Sequence, residues 1–236
     1  MKTFTISPSD MTFQWDACKF CFYMKVRHKI AYHAPFPGIF STMGDLTSRF
    51  YLYKPAAILT PMLPAGVVKY REMWIKSAPV NFADLDARCV IRGRLDAVIA
   101  FEDGSFGVID YKTSNASQEK ATFYSRQLSA YAYALENPAP GALHLSPVTR
   151  LGLFILTPQR FEEIASGEVA FVTTATWMDV RRDDPVFLTF LAGVMAVLAA
   201  DEPPASADTC PLCSYRKAMK DVVPIADLFS NSDIDL

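Results

Sequence analysis

The sequence has no long hydrophobic run, no excess of positive charge, no secretory leader pattern and no motor motif, and each absence removes a class of function. Its most apolar stretch, PVFLTFLAGVMAVLAA over Pro185–Ala200, has 16 residues. That is short of the ~20 needed to span a bilayer, so it is expected to be a buried helix, and no membrane association is expected. The opening MKTFTISPSD lacks the apolar core of a secretory signal. A reducing, cytoplasmic compartment is therefore expected, in which cysteines serve as core residues, reactive thiols or metal ligands rather than disulfides. Lys and Arg number 23 against 25 Asp and Glu, a formal charge of −2. A polyanionic partner would have to be met by a local basic cleft rather than by the field of the whole molecule. No G-x-x-x-x-G-K-[S/T] motif occurs, which excludes a helicase motor of this type, and no base-reading module is visible, so any DNA recognition would be of structure rather than sequence. Internal repeats and low-complexity blocks are also missing.

The chain does have enough apolar matter for a large core: 236 residues, 51% hydrophobic and 13% aromatic. A single domain over residues 1–236 is expected. A first helix is predicted over Thr12–Tyr32 with Ser9 or Asp10 as cap, closed by prolines 35 and 37, and a second over Phe40–Tyr53. Val67–Ile75 reads as a strand. Arg88–Phe101 and Phe106–Lys112, joined by Glu102-Asp103-Gly104-Ser105, read as a β-hairpin because β-branched runs flank an Asp-Gly turn. A helix over Gln118–Glu136, strands over Ser146–Thr157 and Val169–Val180, and an apolar helix capped by Asp183 or Asp184 follow. Asp201–Thr209 reads as a linker, and the polar end of the tail is expected to fray. Strands alternating with helices and led by a hairpin predict an α/β fold, a mixed central sheet flanked by helices on both faces.

Chemistry concentrates in the hairpin. Asp110 and Lys112 share one face of the second strand, and pairing across the turn brings Asp96 beside them. Charges in strands so apolar need compensation. A surface ion pair would give it weakly. A divalent ion between the carboxylates would give it too; Mg²⁺ favours a few carboxylates plus water and phosphate oxygens, and Lys112 would orient the bound water or neutralise developing charge. Gln127 and Tyr131, four apart, share one face of the next helix.

Gly93-x-x-Asp96, the short hairpin, Asp110-Tyr111-Lys112-Thr113 and Gln127-x-x-x-Tyr131 together resemble the PD-(D/E)XK nuclease superfamily. The likeness is strongest to the RecB-like branch, which includes the AddB nuclease domain and the small CRISPR-associated adaptation nuclease. The motif block lies within residues 88–136. The resemblance implies a restriction-endonuclease-like core and a metal-dependent DNA exonuclease or end-processing nuclease on single-stranded or frayed DNA. It implies Asp96 and Asp110 as ligands of Mg²⁺ or Mn²⁺, Lys112 as the assistant of the attacking water, and Gln127 and Tyr131 as active-site residues on the DNA backbone. A helicase or CRISPR-adaptation proteins are the implied partners. The rival expectation is a catalytically silent DNA-binding or scaffold subunit. The family's early helix usually carries a His ligand; here that helix reads FSTMGDL over 40–46, and Asp45 is the candidate substitute. His28, His33 and His144 read as solvent or phosphate contacts and a loop residue.

Five cysteines are present. Cys18-x-x-Cys21 and Cys210-x-x-Cys213 offer four thiolates, the number wanted by tetrahedral zinc or by an iron–sulfur cluster, and a shared site over 18–21 and 210–213 would clasp the two ends of the chain together. Spacing does not separate the two metals. The resemblance implies a [4Fe–4S] cluster, with Zn²⁺ as the alternative, although the branch usually divides its cysteines one plus three and this chain divides them two plus two. Cys89, among apolar neighbours, reads as core. Lys25, Arg27, His28 and Lys29 form a basic run, and Arg92, Arg94 and Arg126 flank the acidic motif. Lys25, Arg27, Arg94 and Arg126 are candidate DNA contacts. Phe22, Tyr23, Tyr111, Tyr124 and Tyr131 are either stacking residues or core.

Overall fold

The computed structural model describes residues 1–32 and 37–222. His33 and Pro35, and the polar end of the tail over 223–236, lie outside them. The elements are β1 (Lys2–Ile6), α1 (Lys19–His28), α2 (Gly38–Tyr51), β2 (Gly66–Lys76), β3 (Val80–Phe82), β4 (Ala87–Phe101), β5 (Phe106–Thr113), α3 (Gln118–Glu136), β6 (Val148–Ala165), β7 (Glu168–Asp179), α4 (Asp184–Ala199) and α5 (Pro211–Val222). The sheet is mixed, ordered β1-β4-β5-β6-β7, with β2 and β3 also on β4. β1 and β4 run parallel, as do β5 and β6, while the β4–β5 hairpin and the β6–β7 ribbon are antiparallel.

Two hydrophobic clusters form, one on each face, as the expected fold class requires. The larger takes Phe22 and Val26 from α1, Leu128 and Leu135 from α3, and Phe187, Leu191, Val194, Met195 and Leu198 from α4. The α4 residues recur every three or four positions, and burying each contributes about 1.5–3 kcal/mol. This is why the most apolar stretch of the chain is a core helix; among the described residues no helix is long and apolar enough to cross a membrane. The smaller cluster joins Ala56, Leu59 and Leu63 to Val68, Ala97, Ile99, Ile109 and Phe154, with Tyr51 of α2 packed on it.

The hairpin forms as the Asp-Gly signal predicts. Gly104 takes φ 84°, which glycine adopts without strain, and the Asp103 carboxylate accepts the Ser105 N–H at 2.8 Å. α3 matches its expected span. Asp183 rather than Asp184 caps α4, accepting the Val186 N–H at 3.1 Å.

Four expectations need correction. The first helix is not continuous from 12 to 32. Asp10–Gln14 is a wide π-type turn followed by a short helical turn at Trp15–Ala17; Cys18 is then extended, with φ −169° and ψ 110°, and α1 starts after it. Ser7, not Ser9 or Asp10, supplies the side chain at the start of this region, accepting the Asp10 N–H at 3.1 Å. α1 stops at His28 because Lys29 adopts a left-handed φ of 61°. β1 and β3 were not anticipated, although Phe4 and Ile6 of β1 alternate into the core in the strand period. β6 runs eight residues past Thr157, into PQRFEEIA, whose residues are exposed beyond Pro158 and therefore leave no burial pattern to read; the ladder with β7 slips at Pro158/Arg160 and continues.

Candidate active site

The site is made by a fork in the sheet. β4 pairs with β1 through residues 87–91 and with β5 through 97–100, so 92–96 pair with neither. Gly93 sits in this gap, where an added Cβ would come within 2.7 Å of Pro8 Cδ and 3.6 Å of a Tyr131 ring carbon. The glycine of the motif therefore lets Pro8 and α3 approach the strand.

The side-chain alternation of β4 also slips here. Leu95 faces the larger cluster with Ile91 and Cys89, whereas Ala97 and Ile99 face the smaller one. Asp96 stands at the slip. On the facing strand, Glu72 lies between the pairs Arg71–Ala97 and Met73–Leu95, hence opposite Asp96, and has a left-handed φ of 54°. Asp110 follows Ile109, which pairs with Ala97, so it too lies opposite Asp96. Three acidic positions thus fall in one row across β2, β4 and β5.

Asp110 is 2% exposed. Its carboxylate accepts from Gln127 Nε2 at 2.9 Å and ion-pairs with Lys112 Nζ at 2.5 Å. Asp96 Oδ2 accepts the Tyr111 backbone N–H at 2.8 Å. The Tyr131 hydroxyl donates to the Arg94 carbonyl at 2.9 Å, tying α3 to the segment of β4 that neither β1 nor β5 pairs. Lys112 Nζ lies 4.6 Å from the centre of the Tyr124 ring. Structure thus brings together Asp96, Asp110, Lys112, Gln127 and Tyr131.

Burial, then the charge of Asp110, pushes the Asp96 carboxyl up to about 7 from 3.8, against the opposing pull of Lys112 and the Tyr111 N–H. Burial works against the Lys112 ammonium, but Asp110 and Asp96 outweigh it and raise its pKa. Between these values the folded metal-free protein keeps a proton on Asp96 that the unfolded chain has lost. This site's contribution to stability is therefore full below about pH 4 and is lost as pH rises through about 7. The expected outcome is that the melting temperature of metal-free Asp96→Asn varies less with pH over that window than the parent's. Identical pH dependence in a fluorimetric melt would sink the assignment.

The donor set suits a divalent ion. Two adjacent carboxylates repel unless a proton or cation intervenes, and the buried Gln127 Oε1 has no hydrogen-bond partner. Oxygen ligands supplemented by water and substrate match Mg²⁺ or Mn²⁺.

Other candidates are engaged elsewhere. Asp45 pairs with Arg49 at 2.8 Å and Arg71 at 3.3 Å. Lys25 binds Asp10 at 2.7 Å; Arg126 binds Asp16 at 2.6 Å and stacks 4.3 Å from Phe190; Arg27 lies on the carbonyls of Leu198 and Ala200 and over Tyr23. Arg94 is exposed and pairs with Glu72. Phe22, Tyr23 and Tyr131 are buried, Tyr111 and Tyr124 partly so. His28 and His144 are exposed. Sequence reasoning missed Glu72, because simple alternation along β2 gives no sign of the left-handed residue that places it opposite Asp96.

Cys18, Cys21, Cys210 and Cys213 are all buried and their sulfurs lie within 4.8 Å of one another. Sγ–Sγ separations are 3.9 Å for Cys18–Cys213, 3.8 Å for Cys21–Cys210 and 3.4 Å for Cys21–Cys213. The extended Cys18 immediately before α1 sets its sulfur beside that of Cys21, one turn on. Burial raises the Cys18 thiol, but hydrogen bonds from the backbone at Ala207 and Cys21 and from the neighbouring thiols bring it down to about 7; burial and the neighbouring sulfurs push Cys21 up. Four buried thiols with one poised near neutrality form a donor set for a soft metal. Cys89 is fully buried away from them, and burial pushes its thiol up to about 12.

A family model described as the PD-(D/E)XK nuclease superfamily matches residues 56–218, more than half of the chain and the whole of the β4–α3 motif block. Sixteen chains of solved structures match. One is titled "Crystal structure of SSO0001", 15% identical, with 94% of this chain and 86% of that chain covered and a TM-score of 0.43. No curated protein matches the chain.

Proposed function

Because the chain belongs to the PD-(D/E)XK nuclease superfamily, we propose that it is a divalent-metal-dependent deoxyribonuclease that trims single-stranded or frayed DNA ends. The observation that carries this reading is the triplet at the fork: Asp96 and Asp110 side by side, with the Lys112 ammonium 2.5 Å from Asp110. Asp96 and Asp110 would hold Mg²⁺ or Mn²⁺, which supplies an activated water and charge neutralisation at the phosphate. Lys112, kept protonated by the two carboxylates, neutralises charge beside the attacked phosphate. Gln127 fixes the Asp110 carboxylate through its amide, and Tyr131 fixes the backbone of β4. Both are positioning residues in this reading. Digestion of end-labelled single strands with Mg²⁺, Mn²⁺ or EDTA tests it. Shortening of the strand with either metal and none with EDTA is expected; intact strands under all three conditions would remove the reading and favour a scaffold role. A helicase or the proteins of CRISPR adaptation remain the partners that fit a nuclease without a motor.

For the clasp, the resemblance points to [4Fe–4S], but the sulfur spacing favours a second reading. A tetrahedral ion with bonds of about 2.3 Å sets its sulfurs about 3.8 Å apart; three of the six pairs here are 3.4–3.9 Å apart and all four sulfurs lie within 4.8 Å of one another. A cubane carries its irons on separate corners and holds the ligating sulfurs farther apart. We read the clasp as a single zinc ion. The purified protein is expected to be colourless with one zinc per chain by elemental analysis. A brown protein carrying iron would overturn this without touching the nuclease reading.

A further inference from the structure

Beside the carboxylates, β2 and β4 carry a second arrangement that the reaction does not use. Across their ladder Trp74 faces Arg94 and Lys76 faces Arg92. Directly opposite residues project to the same side of a sheet, so these four form one strip. All four are exposed. Trp74 is 62% exposed, whereas Trp15 is buried and the Trp177 ring packs over Gly152. An exposed indole beside a guanidinium offers a flat face to a stacking partner. The Arg92 guanidinium lies 5.4 Å from the centre of the Trp74 ring, and Arg94 reaches the other way to Glu72, in the acidic row. Arg94 and Asp96 are two residues apart on one strand, about 7 Å.

We propose that this strip is a seat for single-stranded DNA, with a base stacked on Trp74 and the flanking phosphates met by Lys76 and Arg92. The proposal rests on the nuclease reading and deepens it by naming the residues that hold the strand. Arg92 over the ring and Lys76 across from it are cations that complement a polyanion. In a duplex each base is covered by its neighbours, so only an unpaired base can present its face to the ring. The strip lies on the sheet face turned away from α3 and meets the acidic row through the Arg94–Glu72 pair. The one acidic side chain of the row that reaches the strip, Glu72, is already neutralised by Arg94, which removes a charge that would repel the incoming strand.

Fluorescence anisotropy with the full chain tests this, with Ca²⁺ in place of Mg²⁺ to hold back cleavage. The probes are a labelled thymidine strand on the order of twelve nucleotides, a duplex of equal length, and an equal abasic strand that has phosphates without bases. The parent is expected to prefer the thymidine strand. Trp74→Ala should weaken that strand roughly ten-fold or more and leave the abasic one unchanged, with Trp74→Phe retaining most of the affinity. Arg92→Ala should weaken both strands alike and lower the salt slope by about 0.7. Trp74→Ala binding the thymidine strand as the parent does, with an unchanged melting curve, would overturn the seat; so would a parent that binds all three probes equally. Cleavage measured on the same preparations keeps the two readings apart. Trp74-dependent binding without Mg²⁺- or Mn²⁺-dependent cleavage upholds the seat and removes the nuclease reading. Cleavage with Trp74-independent binding does the reverse.

Discussion

Lys112→Ala is expected to lower the rate of phosphodiester hydrolysis on the order of 10²–10⁴-fold while single-strand affinity stays within a few-fold of the parent. The asymmetry follows from where the ammonium sits. Lys112 is only 21% exposed and its charge is turned to Asp110 at 2.5 Å, away from the strip that would hold the DNA. Removing it takes away the charge that holds the Asp96 carboxyl down, so Asp96 retains its proton to higher pH and competes less well for a divalent ion. Single-turnover cleavage at several pH values, beside binding of the same strand, is the measurement. A variant that cleaves at the parental rate at saturating Mn²⁺ would show that Lys112 serves only to balance charge.

The second large effect concerns the clasp. Cys210→Ser is expected to lose the bound metal and lower the melting temperature by some 10–20 °C. Treated as a cross-link closing a loop of 189 residues, the clasp contributes about 5 kcal/mol, and each kcal/mol moves the melting point of a chain this size by roughly 2–4 °C. Cys89→Ala is the control, since Cys89 lies away from the other four sulfur positions in the larger cluster and should leave the metal content alone. Metal content and melting both unchanged in Cys210→Ser would show that the four thiols do not share one ion.

Much of this was legible in the sequence because it depends on short-range order. The hairpin, α3 and α4 follow from period, turn residues and caps, and Asp96, Asp110, Lys112, Gln127 and Tyr131 could be picked out because hairpin pairing and one helical face bring them together. What escaped depends on long-range pairing. β1 is placed by β4, eighty-five residues away at Thr3–Arg88, and a five-residue strand signals little alone. Glu72 enters the acidic row through a backbone conformation that no residue type announces. Lys25, Arg27 and Arg126 look like a basic surface in one dimension but meet Asp10, the end of α4 and Asp16 in three. Trp74 lies in water opposite Arg94 on the strand face that also carries Lys76, which only the pairing of β2 with β4 reveals.

The clasp also sets an order of events during synthesis. Cys18 and Cys21 leave the ribosome first, and Cys213 follows Cys21 by 192 residues. At translation rates of about 5–20 residues per second, the first pair waits roughly 10–40 s for its partners. Over that interval two thiols destined for the interior are open to oxidants and to stray metal ions. The earlier pair is thus locked only once the later pair has been made, and production under oxidising or metal-starved conditions is expected to lower the yield of metal-bound protein.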